Sequence, residues 1–331
     1  MRTTFVLGAA ANLGLDNTGQ FPIGSQLAVR IQIQIAAELS ENSMFPQGHI
    51  GGALSCITGG ITQRHVEAMD RIEDSIVFKN SIDDLVNEWS DFKELGDVAK
   101  VCIATEIPKS ESTTQISAAL QNVVRPSSAM RQLRESWIGR VLMYANPDSR
   151  RRDVQDCLNG MSFVTFNYDR CLEASLLMFL RYAQSVPITE CSAIMDKIQI
   201  HHAYGSLGKL PELGGNLRFG GFENREIGWA ASAIKTYNEE LESGHTEKIR
   251  GLINKSENIV FLGFGFHAQN LKLLFGENPD LSGRKFFGTS VNMDQDELKR
   301  VKYFWQVGNG IVELRNSDCQ TIVDSLRGLV F

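Results

Sequence analysis

The sequence predicts an α/β fold: a parallel sheet with helices on both faces, interrupted by a mainly helical insertion over residues 60–155. Over 156–331, short apolar runs alternate with stretches of helical periodicity, the pattern of strands joined by crossover helices. The chain opens on an apolar run, 3–7, that passes straight into Gly8-Ala9-Ala10-Ala11-Asn12. Tiny residues after a buried strand mark the first strand-to-helix turn of a Rossmann-like unit. Between these regions, 60–155 shows helical spacing and little else.

In chain order, 3–7 is a continuous apolar strand. Pro22 and Gly24 then break the chain before a helix over 25–39. In the insertion, Ser81 caps a helix over 81–89 whose first turn carries Asp83 and Asp84. Residues 98–107 have the pattern of a buried helix, and 130–144 are strongly amphipathic. Arg150-Arg151-Arg152 reads as a solvated helix start before a phosphate or partner contact. Strands follow at 162–166, 197–202, 258–262, 285–288 and 310–314, with helices at 170–183, 228–242, 268–275, 294–304 and 319–326.

Composition narrows the function. A chain of 331 residues, 43% hydrophobic and 22% charged, can bury one large core. Its net charge of -6 disfavours broad contact with a phosphate backbone, so no direct nucleic-acid binding is expected. No window holds eighteen uncharged apolar residues, and Gly8 comes too early for a secretory signal, so no membrane association is expected. Cys56, Cys102, Cys157, Cys171, Cys191 and Cys319 include no C-x-x-C pair. That spacing argues against a zinc ribbon or a disulfide framework, and for a cytoplasmic chain without a metal.

Ligands of open α/β sheets lie at the carboxyl ends of the strands. Gly8, Ala9 and Asn12 end the first strand, although Ala10 breaks the G-x-G-x-x-G fingerprint and a ligand-free close-packed turn remains open. Thr165-Phe166-Asn167-Tyr168-Asp169 end the second; Asp169 also suits a helix N-cap. His201-His202-Ala203-Tyr204-Gly205-Ser206 end the third, where alternation lets at most one histidine face the crevice. Gly263-Phe264-Gly265 and Thr289-Ser290 end the next two.

Taken in order, these turns resemble the sirtuin superfamily, and within it the divergent prokaryotic, sirtuin-like NAD-degrading effectors of antiviral (anti-phage) defence. The family's Gly-Ala-Gly-x-Ser turn looks like Gly8 to Asn12. Its Thr-x-Asn-x-Asp motif matches Thr165, Asn167 and Asp169, and its His-Gly-Ser motif resembles Tyr204-Gly205-Ser206. The segments FNYDRCLE and SIDDLVNEW look like the defence branch. The resemblance spans 1–331 as one sirtuin-like domain. It implies an NAD hydrolase that cleaves the nicotinamide–ribose bond, with NAD as substrate and no metal.

On that resemblance Asn167 holds a water or ribose hydroxyl, Asp169 contacts the nicotinamide carboxamide, and His202 replaces the family histidine, whose place Tyr204 takes, as general base. Gly8, Ala9 and Asn12 meet the pyrophosphate. Gly263 and Gly265 line the adenosine side, with Ser290 or Asn292 nearby. Thr165, Tyr204, Gly205 and Ser206 complete the binding set. The implied partners are further copies in a homo-oligomer, and a helicase-type ATPase or short Argonaute, with the helices of 60–155 as the assembly surface. The alternative is a non-catalytic NAD or ADP-ribose sensor or scaffold. The missing zinc ribbon argues against a protein deacylase.

Overall fold

A computed structural model describes residues 2–15, 21–40, 45, 46, 48–79, 81–145, 158, 160–221, 224–235, 239, 244–277, 279–291, 293–307 and 310–328. Its centre is a six-stranded, all-parallel sheet of strands β1 (Thr3–Leu7), β2 (Met161–Thr165), β3 (Gln199–His202), β4 (Asn258–Leu262), β5 (Lys285–Thr289) and β6 (Ile311–Arg315). The spatial order is β3-β2-β1-β4-β5-β6. This is the Rossmann order, with its switch point between β1 and β4. All six strands fall within two residues of the sequence expectation; the central ones, β1 and β4, are buried on both faces and read as apolar runs.

The helices follow as α1 (Gly24–Leu39), α2 (His49–Thr58), α3 (Gln63–Ser75), α4 (Ile82–Glu88), α5 (Lys93–Ser112), α6 (Gln115–Leu120), α7 (Pro126–Glu135) and α8 (Trp137–Ala145) before β2. Then come α9 (Cys171–Met178), α10 (Ile188–Met195), α11 (Asn224–Ala233), α12 (His245–Lys255), α13 (Ala268–Phe275), α14 (Gln295–Val307) and α15 (Cys319–Ser325). Among the described residues no helix is long and apolar enough to cross a membrane.

Alternation along the strands gives the sheet two cores. Val6, Val164, Ile259 and Phe261 face one, packed by α1 to α5 and α11 to α14. Phe5, Leu7, Phe163, Val260 and Leu262 face the other, packed by α6 to α10 and α15. The helices between β1 and β2 therefore divide: α1 to α5 cover one face and α6 to α8 the other.

Three helices differ from the sequence pattern. The 130–144 stretch is broken at Ser136, whose backbone is extended (ψ 163°) and whose hydroxyl accepts from the Gly139 amide at 3.2 Å. The apolar period continues across that break, which hides it. Helix α5 runs through Pro108 to Ser112 because Glu111 is anchored by tertiary contacts described below. Helix α9 gives way to a π turn over Phe179–Ala183. Helices α2, α10 and α12 lie outside the expected set. The Arg150–152 cluster and Asn292 lie outside the described residues.

Candidate functional site

Parallel pairing puts every strand's carboxyl end on one edge of the sheet, with Leu7 beside Thr165 and Leu262, and Thr165 beside His202. The ends then diverge in character. Those of β1 and β2 open into a cleft of about 90 Å³ lined by Ala9, Asn12, Phe166, Asn167, Tyr168 and Asp169. Pro22, Gly24 and Leu27 close it from the start of α1, and Ser81, Ile82, Asp83 and Ile107 from α4 and α5. No Lys, Arg or His is among its lining residues. A larger, more open depression of about 290 Å³ over α2 has no ionisable side chain in its lining and offers no chemistry.

The cleft floor is a short hydrogen-bonded chain. Asn12 Nδ2 donates to Asp169 Oδ2 at 2.5 Å, and Asn167 Nδ2 donates to the Gly8 carbonyl at 3.1 Å. Thr165 Oγ1 accepts from the Asn167 amide at 3.1 Å and fixes the turn. The Gly8 carbonyl sets the Asn167 amide's orientation, since a flip would oppose two oxygens. Asn167 Oδ1 is then a buried acceptor with no partner, on a residue only 8% exposed. Such an atom costs about 1–3 kcal/mol and calls for a ligand or water donor.

Two carboxyl groups share this space. Asp169 Oδ1 accepts from the Cys171 amide at 3.0 Å, the expected cap, but burial dominates and lifts its pKa from 3.8 to about 6. Asp83 is likewise raised by burial to about 6, against the Tyr168 hydroxyl, which donates to it at 2.5 Å and favours its charged form. Asp83 and Tyr168 were not among the residues expected at the site. Asp83 read as a first-turn acid and Tyr168 as the spacer of a motif. The contact spans 85 residues, and only the fold joins them.

His202 does not reach the cleft lining. Its Nδ1 meets the Asn167 carbonyl at 2.9 Å and its Nε2 meets Glu173 Oε1 at 2.7 Å. Burial opposes a charge on the ring, but Glu173 and the Asn167 carbonyl outweigh it and raise the pKa above 6.5. Both ring nitrogens are engaged in this arrangement, and through Nδ1 the ring holds the Asn167 backbone. His201 points to the opposite side, its ring 5.2 Å from that of His245.

The remaining expected residues are packed elsewhere. Tyr204 donates to Asn270 Oδ1 at 2.7 Å, and its ring meets Phe166 edge-on. Gly205 has φ +71°, and a Cβ there would sit 2.2 Å from the Ala233 carbonyl oxygen. Ser206 Oγ accepts from the Gly208 amide at 3.2 Å. At the switch point the turns of β1 and β4 interlock: a Cβ on Gly8 would lie 2.4 Å from the Gly263 oxygen. Gly8 N donates to the Leu262 carbonyl and Ala10 N to Gly263 O, so these amides have partners before any phosphate arrives. Phe264 reaches back to Phe166, with ring centroids 5.1 Å apart. Gly263 and Phe264 thus pack against the β1 turn at the β1–β4 crevice, and Gly265 beyond them is exposed. A Cβ on Gly265 would meet the His267 ring, and Ser290 lies buried, its amide on the Arg315 carbonyl.

Beside the cleft stands a saturated network. Glu111 and Arg170 are 0% and 1% exposed. Arg170 donates to Glu111 from its backbone amide, Nε and a terminal nitrogen, and to the Leu217 and Arg218 carbonyls. The Gly220 amide completes Glu111 at 3.0 Å. Among the described residues no group of three or more His, Cys, Asp or Glu is placed to hold a metal ion. No known family model, curated protein or solved structure matches the chain.

Proposed function

We propose that the chain binds NAD with its nicotinamide–ribose end in the β1/β2 cleft and hydrolyses the bond between them to nicotinamide and ADP-ribose. The observation that carries this is the unpaired, buried Asn167 Oδ1 in a cleft that two carboxyl groups also line, Asp169 from the end of β2 and Asp83 from α4. Asn167 Oδ1 and the two carboxyl groups offer acceptors and negative charge to a ligand whose reacting end offers hydroxyls, a carboxamide and a pyridinium. At the rim, the 16-residue helix α1 begins at Gly24. Its first-turn N–H groups have no partner inside the helix and favour an anion, such as the pyrophosphate next to the ribose. The cleft fits one end of the dinucleotide; sites that enclose whole ligands run to about 300–1,000 Å³.

Breaking the bond leaves a neutral pyridine and an oxocarbenium-like ribose, as in glycoside hydrolysis. A strong general acid is unnecessary. The carboxylates stabilise the developing cation, Asn167 Oδ1 accepts a hydrogen bond from the attacking water or a ribose hydroxyl, and the proton that the water loses passes to an ionised carboxylate and then to solvent. His202 holds the Asn167 turn and touches no reacting atom. Control by assembly, with further copies of the chain or a partner ATPase or Argonaute, belongs to the same proposal, since unrestrained NAD loss is lethal.

One observation favours a second reading, a sensor that binds NAD or ADP-ribose without turnover: both ring nitrogens of His202, which meets the Asn167 carbonyl, are engaged. Incubation with NAD, followed by chromatography of nicotinamide and ADP-ribose, separates the two. Hydrolysis requires release that falls at least about 100-fold in Asn167→Ala with NAD binding retained. Binding without release, in the presence of candidate partners as well, selects the sensor.

A further inference from the structure

We infer that Asp83, supplied by the helical segment between β1 and β2, is the carboxylate that selects the cationic form of the nicotinamide–ribose end. This rests on the NAD reading of the cleft.

Three independent observations converge on Asp83. Helix α4 delivers it from its first turn, where Ser81 Oγ caps the Asp84 amide at 3.2 Å and the acid is free to point away from the helix axis. Its carboxylate lines the same cleft as Asp169 and the unpaired Asn167 Oδ1. The lining contains two carboxyl groups and no Lys, Arg or His, so no protein cation there neutralises them. The charged and titratable groups around Asp83 are Asp84 on its own helix, and Tyr168 and Asp169 from the β2 turn. Two are acids and one a hydroxyl donor.

A buried carboxylate without a counter-ion favours whatever brings one. Asp169 already holds Asn12 Nδ2 and the Cys171 amide, while Asp83 receives the Tyr168 hydroxyl. Asp83 also takes its own backbone amide, but its one side-chain partner is a neutral hydroxyl from the wall of the same cleft. Oxidised nicotinamide riboside carries a positive ring; its dihydro form is the same size and neutral. The cleft should discriminate between them by charge, and Asp83 should carry that discrimination. The helices between the first two strands then contribute to substrate choice as well as to the core.

The test measures dissociation constants of nicotinamide riboside and its dihydro form for the wild-type chain, Asp83→Asn and Tyr168→Phe by titration calorimetry, with folding checked by circular dichroism. The wild type is expected to prefer the cation, and Asp83→Asn to shrink that preference by about tenfold, the size of a screened charge pair at close range. Preference unchanged in folded Asp83→Asn overturns the assignment while the NAD reading stands. Wild-type chain that binds neither form overturns both. A second measurement covers an Asp83→Asn chain that fails to fold. Lowering the pH should erase the wild-type preference as the carboxylate is neutralised. In Tyr168→Phe the midpoint of that loss should move to higher pH, because the hydroxyl that favours the charged form is gone. An unmoved midpoint assigns the selection to Asp169 and overturns the proposal for Asp83.

Discussion

Asp169 and Arg170 are neighbours in one turn, yet they belong to opposite kinds of polar site. Every direction around Arg170 is filled: Glu111 answers it twice over, and the Leu217 and Arg218 carbonyls take the rest. Around Asp169 the account does not close. Asn167 Oδ1 is unpaired, and both Asp169 and Asp83 are held near pKa 6 by burial. A saturated network orders the fold; an unsaturated one stores a cost that a ligand can relieve. The contrast predicts which substitutions damage stability and which damage function.

The largest effect should come from Glu111→Ala. It leaves the Arg170 guanidinium buried without its counter-ion and strands the Gly220 amide. The expected loss is about 3–5 kcal/mol, read as a lowered midpoint in urea unfolding. A loss below 1 kcal/mol would mean that the network is not the structural member of the pair. Replacing Glu111 and Arg170 together by apolar residues should cost less than Glu111→Ala alone, because no stranded charge remains.

Next in size is a pH effect at Asp169. Its folded pKa, about 6, lies above the ordinary 3.8. A raised acid binds its proton more tightly when folded, so its contribution to stability is present below pH 3.8 and is lost as pH rises through 6. The full span is up to about 3 kcal/mol, and Asp169→Asn should flatten that part of the stability profile. A profile identical to wild type would show the carboxyl to be solvated. For the reaction the sign is reversed: the cation needs the ionised carboxylates, so nicotinamide release should climb as pH passes 6.

Much of this was legible in the sequence, for identifiable reasons. The strands were visible because strands buried on both faces must be apolar throughout, as in Phe5-Val6-Leu7 and Ile259-Val260-Phe261-Leu262. Asn167 and Asp169 stood out as polar residues just beyond such a run. Strand order was not legible, since nothing local tells β4 to cross to the far side of β1. The interlocking of Gly8 and Gly263 at the switch point followed from that order, and with it the displacement of Gly263 and Gly265 from the cleft. Asp83 stayed hidden because a first-turn acid next to an N-cap Ser already has a local explanation. His202 was placed beside Asn167, but its partner Glu173 lies 29 residues earlier, on α9, and only the fold joins them.

His202 and Glu173 test the boundary between the two kinds of site. Their side chains are 11% and 19% exposed, and they pair at 2.7 Å. The histidine's raised pKa means that its contribution is present below 6.5 and is lost as pH rises through the folded value. Glu173, lowered from 4.5 by the nearby imidazolium despite its burial, contributes above 4.5 and loses that as pH falls through the folded value. Glu173→Gln should therefore cost about 1.5 kcal/mol between those limits and little above them. It should also change the pH profile of NAD binding far less than Asp169→Asn does. A general-base histidine would behave otherwise, with Glu173→Gln moving the pH at which turnover rises.

The smallest effect on stability should belong to the residue with the largest effect on chemistry. Asn167→Ala removes the Nδ2 bond to the Gly8 carbonyl, worth about 0.5–1.5 kcal/mol net. It also removes an acceptor that is buried and unpaired, relieving about 1–3 kcal/mol. A small cavity beside an existing cleft adds little, since water can enter it. These terms nearly cancel, so unfolding should shift by no more than about 1 kcal/mol in either direction. A gain in stability would be the clearest sign that Asn167 is retained for a ligand. A loss as large as that of Glu111→Ala would collapse the distinction, because Asn167 would then be holding the β1 and β2 turns together as Glu111 holds α5 to Arg170.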